Sequence, residues 1–373
     1  MADDDASPEE RLAWLRLARS RNVGSMTFRR LLARHRTAAA ALEALPGALM
    51  RSGAPAYQPC SMRQGVEEME RAEAAGARML RLGAPDYPPR LAEIPDPPAF
   101  LWALGDIGLA HRAAVAVVGA RNASSLGLRT ARLLAGELGA RGWVVASGFA
   151  RGIDTAAHEA ALATGTVAAL AGGVDVVYPE RNAALAEKMR ASGLLLSEAP
   201  MGMKPLARHF PRRNRIVSGL ADGVVLIEAA QRSGSLITAR MALEQNREVM
   251  AAPGAPLDPR AAGCNTLIRQ GAALVRSADD VIEALAAPRA LTVDAGAPPA
   301  PDPAPEDDAA GAEATGLAAR ALALLGPAAI EADALARDLG ATPAALAEAL
   351  LELELGGLIE WRPGGLIALD PGA

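Results

Sequence analysis

A chain of 373 residues, 51% hydrophobic and 22% charged, is too long for one core and too apolar for a disordered chain, so two or three globular domains are expected. The formal net charge of −5 conceals an asymmetry: Lys+Arg and Asp+Glu number 12 and 10 over residues 1–80, 23 and 19 over 81–290, and 3 and 14 over 291–373. A mildly basic middle attracts a polyanion, and a strongly acidic end repels one.

The opening MADDDASPEE has no basic or apolar leader pattern, and no apolar run reaches about 18 residues. Neither export nor a membrane span is expected, and the reading is cytoplasmic. Cys60 and Cys264 stand in no CxxC or Cys/His cluster, which fits a reducing compartment and offers no metal site.

Residues 9–45 place Leu12, Leu15, Leu17, Phe28, Leu31, Leu32 and Leu42 at helical spacing, broken at Asn22-Val23-Gly24. The break is either a helix-hairpin-helix turn offering backbone N–H groups to phosphate or a plain turn in which Gly supplies the conformation. A helical domain is assigned to 1–80. Residues 82–100 hold six prolines and read as an extended connector.

From residue 113 to about 275, short apolar runs (AVAVVGA, WVVASG, TVAALAGG, GLLLSEAP, GVVLIEAA, REVMAAPG) alternate with helical segments. That rhythm predicts an α/β fold: a doubly wound, Rossmann-like parallel sheet over 81–290, with ligands outside the carboxyl ends of its strands. Residues 291–315, rich in Pro, Ala and Asp, predict a linker. Three helices and a Pro-Gly-Gly hairpin over 316–373 outline a winged helix.

Several loops converge on the carboxyl edge. Gly119 and Arg121 follow the first strand without Gly-x-Gly-x-x-Gly spacing, so a dinucleotide is disfavoured and a phosphate fits better. A tight strand–helix turn with a surface arginine is the competing reading. Ser147, Gly148, Arg151 and Gly152 precede a helix that carries Asp154 and His158, Asp154 being placed to cap that helix or to hold Arg151; no nucleophile accompanies the Asp/His pair, so packing or capping is preferred to acid–base chemistry. Asn182 is placed to cap the helix after Tyr178-Pro179. Ser233, Gly234 and Ser235 open another helix as an anion cradle.

The segment KPLARHFPRRNR adds Lys204, Arg208, Arg212, Arg213 and Arg215 around Phe210 and Asn214, ahead of a helix RNRIVSGL. Arginines neutralise phosphates, and a phenyl ring stacks an unpaired base for about 1–3 kcal/mol. The competing reading pairs Arg213 and Arg215 with acids such as Glu198 and Glu228 and puts Phe210 in the core. The chain has two lysines, Lys188 and Lys204, neither in a Walker A run. A phosphate-lined groove with no catalytic residue and no cofactor points to binding.

VVGARNAS, SGFARGIDTAAHEAAL, AGGVDVVYPERN, LLSEAP, HFPRRNRIVSGLADGVVLIEAA, SGSLITARMA and APG followed by GCNTLIRQGA, in this order, resemble the DNA-processing protein A family (DprA, also called Smf). The resemblance implies an extended Rossmann domain between an N-terminal sterile-alpha-motif-like domain and a C-terminal winged helix. It implies a cytoplasmic homodimer that binds single-stranded DNA and loads the recombinase RecA in natural transformation, without enzymatic activity or cofactor. The family's DNA pocket maps to Gly119 with Arg121 and to Lys204–Arg215; Ala120 stands where the family often has Ser or Thr.

Two further expectations follow. The winged helix's recognition helix, 342–355, holds Glu348, Glu352 and Glu354 and no Lys or Arg, so it should contact protein or regulate the pocket and not read duplex DNA. The alternative function is a nucleotide-phosphate-acting enzyme of the lysine-decarboxylase-like phosphoribohydrolase type, with Glu228 as its acid; no clean PGGxGTxxE run supports it.

Overall fold

A computed structural model of the chain describes residues 6–51, 57–286, 310–325, 329–355, 357–362 and 366–369. They divide into two compact units, one covering Val66–Ala287 and the other joining Ala6–Gly65 to the described residues beyond Pro288.

The first unit is built on nine strands: β1 (Arg78–Arg81), β2 (Phe100–Gly105), β3 (Ala114–Gly119), β4 (Val144–Ser147), β5 (Thr166–Ala169), β6 (Leu194–Ser197), β7 (Gly223–Ile227), β8 (Glu248–Ala251) and β9 (Ala273–Leu274). Their order is β1-β2-β6-β5-β4-β3-β7-β8-β9. From β6 to β9 every pairing is parallel. The runs are continuous because helices cover both faces, so neither side of a strand meets water. On β3, Ala114, Ala116 and Val118 enter one core, while Val115 and Val117 enter the other, as the two-residue period of a strand requires.

The edge differs from the expected connector. FLWALG forms β2, antiparallel to both β1 and β6, and Pro89–Ala92 is a short helix. The sheet therefore begins at Arg78, ahead of residue 81. Chain direction sets the site. The path runs β3 to β6 towards one edge, then returns to lay β7 beside β3. Between the carboxyl ends of β3 and β7 lies the switch point at which doubly wound sheets take ligands.

The second unit holds two small cores. Helices Pro8–Arg19, Ser25–His35 and Ala38–Arg51 bury Leu15, Leu17, Leu31 and Leu45, and Trp14 packs on Phe28 with ring centroids 5.0 Å apart. The winged helix comprises helices Ala310–Leu324, Ala332–Leu339 and Pro343–Leu355 with strands β10 (Ile330–Glu331), β11 (Ile359–Arg362) and β12 (Leu366–Leu369), in the order β10-β12-β11. Of the expected linker, 291–309 lies outside the described residues, and 310–315 are already helical.

Candidate nucleic-acid interface

The switch point opens into a cavity of about 530 Å³. Its walls come from the loop after β3 (Gly119, Ala120, Arg121, Asn122), the loop after β4 (Gly148, Ala150) and the helix start after β7 (Arg232 to Ser235). Across them lies helix His209–Gly219, inside the segment that carries the chain from β6 back to β7.

That helix corrects the expected loop. It starts at His209, so Phe210 stands in its first turn, where Pro211 is tolerated because the first N–H groups have no intrahelical partner. Residues 210, 213, 214 and 217 then share one face, and Phe210, Arg213, Asn214 and Val217 all line the cavity. Asn214 Nδ2 donates to the Gly234 carbonyl at 3.4 Å, tying the crossover helix to the start of helix Gly234–Glu244.

Phe210 is half-buried and clasped by neighbours. The Arg121 guanidinium sits 4.8 Å from its ring centroid, a cation–π distance, and Tyr178 lies 5.9 Å away in tilted geometry. These residues also line a smaller, more apolar recess with Leu170, Val176 and Pro205. Arg121, Arg151, Arg208 and Arg232 are exposed. Among the described residues no carboxylate lies within ion-pair distance of these four.

Arg213 is of another kind. It is 6% exposed, its Nη1 donates to the Ala169 carbonyl at 2.8 Å, and its Nε has no hydrogen-bond partner. A side chain at Gly148 would fall on this guanidinium, so glycine is required there for close approach. Burial pulls Arg213 down to about 10, Asp154 opposing and Arg121 adding to the shift; it stays cationic at neutral pH. Asp154, also buried, accepts from Ala150 N at 3.2 Å. Burial pushes its carboxyl up, with Arg213 the main opposing charge. Asp154 thus accompanies Arg213, not Arg151.

Arg215 leaves the interface. Its guanidinium points to the opposite side, where it bonds both Glu198 oxygens at 2.8 and 2.6 Å, the Asp96 carbonyl at 2.6 Å and the Asp96 carboxylate at 3.3 Å. Burial opposes its charge, and Glu198 and Asp96 more than offset that, holding it above the ordinary range.

The remaining candidates fall into two groups. Lys204, Arg208 and Arg212 are exposed and line neither cavity. Ser147 turns inward, its hydroxyl donating to the Val117 carbonyl at 2.7 Å, and Gly152 packs on the Ala120 carbonyl, bringing the second loop against the first. At the cradle, Ser233 accepts from Ser235 N at 3.3 Å, and the two hydroxyls are 2.7 Å apart. Arg260, not singled out in the sequence, lines the cavity while bonding Asp258 in two-pronged fashion. Its position in a loop without periodicity left no signal.

The polar groups behind the cavity are held in fixed contacts. The Thr166 hydroxyl donates to the Val145 carbonyl at 2.7 Å, so His158 Nδ1, 2.7 Å from that same oxygen, must carry its proton and donate to it. Nε2 is left bare and buried, and burial, then Arg213, depresses His158 to about 3. Asn182 occupies the cap position without a capping bond; its Nδ2 donates to the Phe149 carbonyl at 3.0 Å instead. Glu228 accepts from both the Ser124 N–H and the Ser124 hydroxyl, which places it at the start of helix Ser125–Ala140 in a bracing role.

The family model for DNA recombination-mediator protein A matches residues 78–286. Those for a DprA-like N-terminal HHH domain and a DprA winged helix domain match 8–71 and 297–365. The chain is 44% identical over 213 residues to DNA processing protein DprA of Bacillus subtilis, covering 56% of this chain and 72% of that one. It is 41% identical over 289 residues to Protein Smf of Escherichia coli, covering 76% and 75%. Among solved structures, DNA processing protein A of Streptococcus pneumoniae superposes with a TM-score of 0.61 at 35% identity, over 73% of this chain and 96% of that one. DNA processing protein A of Helicobacter pylori, described for its single-stranded DNA binding mode, gives 0.51 at 30% identity, over 56% and 95%. With the winged helix, the mostly parallel sheet and the N-terminal helices all accounted for, the chain belongs to the DNA recombination-mediator protein A family.

Proposed function

We propose that this protein binds single-stranded DNA at the switch-point cavity, without chemical turnover, and acts as a homodimer in the cytoplasm that delivers the strand to the recombinase RecA. The observation that carries the binding reading is Arg121 seated over Phe210 beside Arg213 and the helix start at Ser233. A guanidinium over a flat ring suits a chain whose phosphates and unpaired bases alternate, whereas a duplex hides its base faces. The single-stranded DNA binding mode described for the Helicobacter pylori relative supports the strand class, and the recombinase and dimer assignments rest on the family resemblance. Glu228, the acid required by the alternative enzyme, is engaged with Ser124, which weighs against that reading.

The test is fluorescence anisotropy with labelled oligo-dT and a matched duplex across a salt series. Binding to the single strand should exceed duplex binding, and its logarithm should fall linearly with the logarithm of salt at roughly −0.7 per neutralised phosphate. Arg121→Ala should weaken it about tenfold, or about 1.4 kcal/mol, and make the slope shallower. Equal affinity for both forms, or no effect of Arg121→Ala, would sink the reading.

A further inference from the structure

The winged helix's acidic helix, Pro343–Leu355, carries Glu348, Glu352 and Glu354 and no cation, so a phosphate surface repels it. In the structure it lies instead against helices Ser25–His35 and Ala38–Arg51 of the N-terminal domain. One side chain organises the contact. Arg30 has its Nη1 3.8 Å from Glu354 Oε2, and its guanidinium carbon stands 4.3 Å from the ring centroid of Trp361 on β11. The loop joining them also meets the N-terminal domain: a side chain at Gly357 would come within 3.1 Å of Asn22 Nδ2. Asn22 is the first residue of the turn that the sequence marks as a phosphate-binding candidate.

We propose that the acidic helix of the winged-helix domain is a protein-docking helix whose partner is the N-terminal helical domain of this same chain, with Arg30 as its anchor and Asn22 at the edge of the contact. Three observations agree on this occupant. The charges are complementary, Arg30 receiving both a carboxylate and an aromatic face. The contact involves the helix, the following loop and the wing strand together. Its polar atoms are enclosed: Thr27 Oγ1, Arg30 Nη1, Glu354 Oε2 and Trp361 Nε1 are all buried.

The same four atoms make the contact reversible. Thr27 and Trp361 face the Glu354 carboxylate without reaching full hydrogen-bond geometry, and an ion pair at 3.8 Å recovers little of the desolvation that both charges undergo. Burial accordingly pushes Glu354 up, Thr27 and Arg30 opposing, and pulls Arg30 down, Glu354 opposing. A docked state of this kind holds the winged helix off DNA while remaining available for exchange with a competing basic protein surface.

The experiment uses the full-length chain labelled with 5-fluorotryptophan. Its four tryptophans, Trp14, Trp102, Trp143 and Trp361, give four fluorine resonances, with Trp361 assigned from Trp361→Phe. Arg30→Glu and Glu354→Arg should each move the Trp361 resonance and increase its solvent isotope shift. The double reversal Arg30→Glu/Glu354→Arg should return the solvent isotope shift towards the parent value as the ion pair re-forms, while loss of the cation from the Trp361 face leaves part of the resonance displacement in place. Trp102 and Trp143 should stay in place throughout, reporting an intact sheet. Should either reversal disturb Trp14 and so the N-terminal fold, Arg30→Gln and Glu354→Gln provide the milder pair with the same expected direction. Trp361 unmoved by every single substitution, or driven further by the double reversal, would overturn the proposal.

Discussion

Arg121, Arg213 and Arg215 show how one residue type serves three purposes within one site region. Arg121 is exposed over a ring, Arg213 is buried with an idle Nε, and Arg215 is spent on Glu198 and Asp96. Their substitutions should separate accordingly. Arg215→Ala removes a buried guanidinium from the partly exposed Glu198 and Asp96 and should cost about 1–2 kcal/mol of stability, less than a fully buried pair because the carboxylates can hydrate, read as a lower urea midpoint. Affinity per folded molecule should barely change. Arg121→Ala should do the opposite. The sequence showed five cations and one ring but not their directions, because direction depends on which turn of a helix each residue occupies. Once the helix is known to begin at His209, the spacing 210, 213, 214, 217 identifies the cavity face and puts Arg215 behind it.

His158 yields a pH prediction at this same scale. Its folded value, about 3, lies below the ordinary 6.5. The neutral ring therefore contributes stability that is fully present above about 6.5 and is lost as pH falls from there towards 3, at up to about 1.4 kcal/mol per pH unit. Urea unfolding between pH 7 and pH 4 should show this acid slope, and His158→Gln should flatten it. DNA affinity between pH 6 and pH 8 should carry no signature of this ring.

At the scale of elements, two loops and one helix meet where the backbone itself sets the clearance. Gly148 lies under the Arg213 guanidinium. Gly148→Ala should push that side chain outward or strain the loop, lowering single-strand affinity by tenfold or more with a modest loss of melting temperature. Equilibrium binding beside a melting curve checks both. The parallel strands were readable because burial on both faces leaves near-continuous apolar runs. The antiparallel β1–β2 edge was not, because prolines at 95, 97 and 98 crowd the approach to β2 and mimic an extended connector. Asn182 and Asp154 were named for the right loops and the wrong partners. Capping positions are visible in sequence, whereas long-range acceptors such as the Phe149 carbonyl are not.

At the scale of the whole molecule, the proposed binding site falls within one unit. The two sheet cores lie entirely within Val66–Ala287, so a fragment of those residues should fold and keep single-strand affinity within about threefold of the full chain, measured by the same anisotropy series. A fragment that folds but loses binding would place part of the interface in the other unit. The charge map points the same way, since the acidic excess belongs to residues beyond 290. Composition revealed that division at once. The pairing of the winged helix with the N-terminal helices was hidden, because it depends on a contact between residues more than three hundred positions apart.

The brace between Glu228 and Ser124 bears on how a strand enters. It links the end of β7 to the helix that follows β3, tying together the two chain segments whose loops supply walls of the proposed DNA cavity. A crevice whose opposing banks are riveted together has its width set in advance, like a gauge cut before the wire is drawn. Entry should then be paced by diffusion and charge, with association rates that fall with salt and show no saturating first-order step in stopped-flow mixing. Glu228→Gln, by loosening the rivet, should introduce that slow step.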